Sequence, residues 1–264
     1  MTRVLDPVRL ALGTLTVLPV RPPGVVDRRT ASWAMVLAPW VGLLLAAPAT
    51  LLLWLLGTVS ALLASVLVVG LLAWLTRAIH LDGLADTADG LGSGRPREGA
   101  LEVMRRGDVG PFGVVTLLLV LMVQVAALAE LVADGRGAAA VVVALVVSRL
   151  ALPLLCSRGV PAARPDGLGA LVAGSVGPGL LALAVLLAAG PLFVVAVRAG
   201  LAGAGSSEAA LLLLVTLVTL VGLLAGLLVA WRAVRRLGGV TGDVLGAAVE
   251  VTFTMVLVVL AATP

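Results

Sequence analysis

AALLLLVTLVTLVGLLAGLLVAW, residues 209–231, contains no charged side chain and is bracketed by Glu208 and Arg232. At 1.5 Å per residue a helix of this length reaches about 34 Å, enough to cross the ~30 Å hydrocarbon core of a bilayer. Backbone donors and acceptors in lipid must be satisfied within their own segment, so the stretch is expected to be helical. Ala31–Thr76 and Gly167–Val197 are equally free of charge. The whole chain agrees. Of its 264 residues 61% are hydrophobic and 12% charged, with a mean hydropathy of +1.20, whereas soluble domains carry about a quarter charged residues. A water-soluble fold is excluded on this ground. No blocks of alternating apolar and polar residues mark a membrane barrel.

Length and breakers place seven spans, in a range of six to eight, near 33–56, 58–79, 111–133, 137–157, 179–199, 209–231 and 244–262. The fold class is an all-α polytopic bundle forming one membrane-embedded domain over residues 1–264. Pro39 and Pro48 are candidates to kink the first span. Leu10–Val20 is too short to cross and reads as an interfacial or re-entrant piece. Arg21, Arg28 and Arg29 follow it rather than a small-residue cleavage site, which disfavours a signal peptide.

All 18 basic residues are arginine. A sequence pI near 11.1 raises nucleic-acid binding, but the arginines cluster between spans and no aromatic-interleaved basic surface exists for stacking bases. With a cytoplasmic N-terminus, 15 of them fall in the N-terminal segment and in loops 77–110, 157–178 and 232–243. Arg136 and Arg198 fall outside, and Arg149 lies within the fourth span. That asymmetry sets the expected orientation, with the C-terminus periplasmic. The single Cys156 forms no internal disulfide or zinc cluster and reads as a small apolar filler.

Chemistry concentrates in two places. His80-Leu-Asp82-Gly-Leu-Ala-Asp86-Thr-Ala-Asp89-Gly-Leu-Gly92 carries three carboxylates at i, i+4 and i+7, within about 60° of one another on a helix. Like charges so close call for a cation, and hard oxygens suit Mg²⁺ or Mn²⁺. An acidic cap on a helix leaving lipid is the alternative. Near the other end, Gly238-Gly-Val-Thr241-Gly242-Asp243-Val-Leu-Gly246 leads seven residues beyond Asp243 to Glu250. Its glycines allow close backbone approach to a phosphate, or simply an interspan turn. Glu250 and Arg149 lie inside spans, where ionisable residues mark a site or pair with one another. Arg105 and Arg106 suit phosphate geometry, while Arg95 and Arg97 read equally well as orientation signals. His80 is either a base near neutral pH or a structural residue.

These residues resemble a known family. HLDGLADTADGLG (80–92), the turn RRGDVGPFG (105–113) and GGVTGDVLGAAVE (238–250) look like cobalamin synthase, the adenosylcobinamide-GDP ribazoletransferases. TLTVLPV (14–20), Ser148-Arg149 and the order of spans extend the likeness over most of the chain. The resemblance implies an Mg²⁺-dependent enzyme of the bacterial cytoplasmic (inner) membrane, joining adenosylcobinamide-GDP to α-ribazole or its 5′-phosphate and releasing GMP. Arginine replaces every lysine, which touches no motif residue. The opening D-G-x-x-A also resembles part of the CDP-alcohol phosphotransferase motif, although Asp86 stands where that motif has arginine.

The expected site therefore has Asp82, Asp86, Asp89 and Asp243 as metal ligands and Asp89 or His80 as proton acceptor. Arg149, Arg105, Arg106, Thr241, Gly242 and Glu250 are its expected phosphate and substrate contacts. Its cytoplasmic segments are 77–110 and 232–243. The rival reading is an ion-coupled transporter in which Arg149, Glu130 and Glu250 line a pathway. Lipid is an expected partner, nucleic acid is not, and self-association is left open.

Overall fold

The computed structural model describes residues 2–199 and 208–263. Among them are eleven helices and no strand: α1 (Thr2–Leu15), α2 (Arg28–Leu56), α3 (Ala61–Leu75), α4 (Ile79–Gly92), α5 (Arg97–Val103), α6 (Pro111–Ala133), α7 (Gly137–Leu155), α8 (Gly167–Val172), α9 (Pro178–Ala199), α10 (Glu208–Leu237) and α11 (Gly242–Ala261). Six of these, α2, α6, α7, α9, α10 and α11, are long and apolar enough to cross a membrane; α3 and α4 reach that length and hydropathy only when taken together, and α4 is bent away from α3 by 88°. Of the seven expected spans six are present as single helices, and the one expected at 58–79 is the short α3 followed by the bend. The side chain of Arg198 lies outside the described residues.

The bundle is organised around α7. Its sequence is small and apolar all round, as a helix at the centre of a membrane bundle should be. Of its most apolar stretch 89% is buried, against 17% in α9 and in α10. Lipid is as apolar as leucine, so helices in a bilayer associate through close packing of small residues. The buried face of α2 accordingly carries Ala31, Ala34, Ala38, Ala46 and Ala49, and α2 packs more extensively on α7 than on any other helix. Leucines on the outer helices, such as Leu213 and Leu220, face outward.

Two boundaries differ from the sequence reading. The second span ends at Leu75 rather than at residue 79, because Arg77 and Ala78 both adopt left-handed backbone conformations (φ 54° and 53°). Two such non-glycine residues cost about 1–2 kcal/mol each. The elbow is held by Arg77 donating to the Gly13 carbonyl (2.6 Å) and by Val17 N–H donating to the Leu75 carbonyl (2.8 Å). Helix α10, expected to end at 231, continues to Leu237 and leaves only a short turn before α11. Arg235 stacks over Trp231 at 4.8 Å, and Arg235 and Arg236 sit in the last turn, where cations complement the helix dipole. The N-terminal apolar piece forms α1 from Thr2, earlier than Leu10, and packs along α2.

Long-range bonds assign the loops to two ends. Arg28 to the Ala173 carbonyl (2.7 Å), Arg105 to Asp166 (3.3 Å) and Ala163 N–H to the Val240 carbonyl (2.9 Å) gather the N-terminal segment and the loops near 77–110, 157–177 and 238–241 at one end. At the other, Arg136 donates to the Thr263 carbonyl at 2.6 Å. This is the division the arginine count expects.

Candidate active site

Helices α4 and α11 cross at Gly83. A Cβ there would stand 2.6 Å from the Asp243 carbonyl oxygen and 2.9 Å from its Cα, so only glycine permits the crossing. The contact joins the two acidic segments although about 160 residues separate them. A cavity of about 280 Å³ opens at this junction, and Asp82, His80, Gly242, Asp243, Arg164 and Asp166 contribute to its wall.

Asp82 is exposed and Asp86, one turn on, is half-buried. Helix α4 has turned out of the spanning direction here. Burial, and then the charges of Asp82, Asp243 and Asp89, push the Asp86 carboxyl from its ordinary 3.8 up to about 6, against the pull of Arg164. Asp243 occupies the first turn of α11, where a negative charge complements the helix dipole. Its Oδ2 accepts from the Thr241 hydroxyl at 3.1 Å and lies 3.9 Å from Arg164. Three mutually repelling carboxylates with a single arginine among them fit a hard divalent cation. Among the described residues, no three His, Cys, Asp or Glu side chains already form a metal-ligating group. A metal held here would therefore complete its shell from substrate phosphate and water, as Mg²⁺ commonly does.

Several expected site residues do other work. Asp89 is buried, and its two oxygens accept the backbone N–H groups of Gly110 (2.7 Å) and Gly113 (2.9 Å). Its carboxylate thus satisfies the orphan donors at the start of α6. The role the structure gives it is that of a cap on α6. Thr241, on the cavity wall, caps α11 by accepting from Val244 N–H at 3.2 Å while its hydroxyl donates to Asp243. Gly242, with open space around its Cβ position, does face the cavity. Arg105 reaches the rim through exposed Asp166, and Arg106 is exposed. His80 is buried at the cavity wall, and its Nδ1 has no hydrogen-bond partner.

Arg149 and Glu250 are placed deeper, around a separate void of about 20 Å³, and not on the cavity. The direct pair that is the alternative reading of the two does not form within 4.0 Å. Glu250 instead accepts from Gln124 Nε2 at 2.9 Å, and Arg149 Nη1 donates to the Ser148 hydroxyl at 2.9 Å. Neither lines the cavity of the acidic segments, so the structure does not bring these two expected substrate contacts together with the others. Glu130 is exposed, near the far end of α6, which breaks the pathway the transporter reading needed. Sequence reasoning overlooked Arg164 and Asp166. Their only signal is membership in an arginine-bearing loop whose partner segments are remote in sequence.

The fold and the site together define a multi-pass, all-helical membrane protein with an acidic, arginine-edged cavity at one end of its bundle. The sequence model of cobalamin-5-phosphate synthase matches residues 7–261, and the chain belongs to that family. A protein of Nocardioides sp. named adenosylcobinamide-GDP ribazoletransferase is 44% identical, covering 97% of this chain and 99% of its own length. Proteins of the same name from Frankia casuarinae and Bradyrhizobium diazoefficiens are 42% and 36% identical over 97% and 98% of this chain, and over 94% of their own lengths in each case. No solved structure matches the chain.

Proposed function

We propose that this chain catalyses the closing step of cobalamin assembly, joining adenosylcobinamide-GDP to α-ribazole or its 5′-phosphate with release of GMP. The observation that carries the reading is the meeting of α4 and the start of α11 around one acidic cavity, in a chain so similar to enzymes of that name. A ribose hydroxyl of the ribazole attacks the phosphorus attached to the cobinamide side. A new P–O bond forms, the pyrophosphate bridge breaks, and GMP departs with the bridging oxygen.

Mg²⁺, held by Asp82, Asp86 and Asp243, would neutralise pyrophosphate oxygens and the charge that develops on the leaving phosphate. Of the two candidate proton acceptors, Asp89 is committed to capping α6, which leaves His80, a neutral imidazole whose pKa burial and the nearby Arg149 lower to about 3, to receive the hydroxyl proton. Its partnerless Nδ1 at the cavity wall suits that task. The first turn of α11 presents Gly242 to the cavity, where the positive end of the helix dipole favours an anionic substrate.

The membrane is the bacterial cytoplasmic membrane, with the cavity end and the N-terminus inside and the C-terminus outside. The 15 arginines of the N-terminal segment and of the loops 77–110, 157–178 and 232–243 support this orientation. A cysteine placed at position 97 should resist an impermeant thiol reagent added to intact cells, and ready labelling from outside would reverse the orientation. The activity is tested on purified protein in detergent with adenosylcobinamide-GDP and α-ribazole, with and without Mg²⁺. GMP and adenosylcobalamin should appear together and only with the metal. Absence of both products refutes the assignment.

A further inference from the structure

Arg164 stands on a rigid base. Ala163 N–H donates to the Val240 carbonyl and Val240 N–H to the Pro161 carbonyl, each at 2.9 Å, and Arg97 donates to the Ala163 carbonyl at 3.1 Å. A Cβ on Gly239 would strike the backbone of residues 161–163, so the loop lies directly on the strand-like residues that precede Thr241. The base of Arg164 is thereby fixed relative to Asp243.

From this base the guanidinium enters the cavity wall. Nη2 donates to the Leu101 carbonyl at 2.8 Å, and Nη1 lies 3.9 Å from Asp243, too far for a hydrogen bond. Nε is buried with no partner. Only 17% of the side chain is exposed. A planar fork with most of its five N–H donors uncommitted is therefore held among carboxylates that attract it only at a distance. Across the same cavity, the His80 Nδ1 is likewise buried without a partner.

Resting on the transferase reading above, we propose that Arg164 is the pyrophosphate-gripping residue of this enzyme. It is counter-ion to Asp243 and Asp86 while those carboxylates are free, and forked donor to the pyrophosphate once a divalent cation takes them over. The role expected of Arg149 thus belongs to a loop arginine. A guanidinium matches two phosphate oxygens at once, which a lysine ammonium does not.

The test uses the full-length protein in detergent, with Arg164→Gln and Arg164→Lys. Mn²⁺ binding is followed by EPR without substrate, and steady-state kinetics are measured alongside. Arg164→Gln should bind Mn²⁺ about two- to fivefold more tightly, because a competing cation is gone. Its KM for adenosylcobinamide-GDP should rise at least about tenfold while that for α-ribazole stays near wild type. Arg164→Lys should restore wild-type Mn²⁺ affinity, yet keep most of the KM defect. An unchanged donor KM in both variants overturns the proposal. So does a parallel loss of Mn²⁺ affinity and melting temperature, the sign of a merely structural arginine. A wild-type protein that neither binds Mn²⁺ nor releases GMP fails earlier, and takes the transferase reading down with Arg164.

Discussion

Arg149 and Arg164 each lie near a carboxylate of α11, Glu250 in the first case and Asp243 in the second, two helical turns apart. Arg149 is buried in the bundle beside a void of about 20 Å³, with Ser148 as its hydrogen-bond partner. Arg164 edges a cavity of about 280 Å³ and keeps donors free. The charge inside the membrane is the more conspicuous in the sequence, yet its surroundings leave no room for a substrate. The loop arginine, one of the 15 that the sequence assigns to one side of the membrane, is the one placed to meet a ligand. Depth in the bilayer makes an ionisable group costly, and that cost can be met by packing as well as by function.

The comparison predicts opposite kinds of damage at the two places. At the cavity, Asp243→Asn and Asp86→Asn should each lower GMP release by about a thousandfold, since an amide keeps the shape but loses anionic ligation. Their melting temperatures in detergent should stay close to wild type. Near-normal turnover over a full Mg²⁺ titration would remove the metal from this end of the bundle.

Deeper in the bundle, Arg149→Met should destabilise the protein by about 1–3 kcal/mol by leaving the Ser148 hydroxyl without its Arg149 donor and Glu250 without its nearby positive charge. The double variant Arg149→Met, Glu250→Gln should recover much of that loss in thermal unfolding. If the double variant is as unstable as the single, the two side chains are not coupled and the structural reading of Arg149 fails.

Asp89 belongs with Arg149 in this division, although it lies on the same helix as Asp82 and Asp86. Asp89→Asn weakens two bonds to the start of α6 and should cost about 1–3 kcal/mol, the worth of hydrogen bonds to a charged group. Turnover of the folded variant should stay within about tenfold of wild type. A total loss of activity without any loss of stability would return Asp89 to the catalytic site.

The smallest expected effect is on pH. The Asp86 carboxyl is pushed up to about 6, and a divalent cation requires it ionised. Mn²⁺ affinity should therefore be full above about pH 7 and fall towards tenfold per unit as pH drops below 6. The ordinary value of 3.8 would put that loss two units lower. A flat titration between pH 7 and 5 would show that Asp86 does not contribute to binding.

Much of this protein is legible without coordinates. Uncharged runs longer than a bilayer is thick specify the spans, because lipid offers the backbone no alternative to internal hydrogen bonds. The arginine count assigned loops to ends, and HLDGLADTADGLG with GGVTGDVLGAAVE marked both halves of the site. Helical periodicity placed Asp82, Asp86 and Asp89 on one face, and periodicity fixes direction about the helix axis and nothing more. What each of the three meets in that direction came from other segments: open cavity for Asp82, neighbouring charges for Asp86, and the amides of Gly110 and Gly113 for Asp89. The elbow at Arg77 and Ala78, the crossing at Gly83 and the seating of Arg164 on Val240 all depend on residues brought together from distant parts of the chain. Composition and spacing are local properties and so determine elements. A site is a meeting of elements, and only the packing of α4, α11 and the 157–166 loop decided which charges face one another.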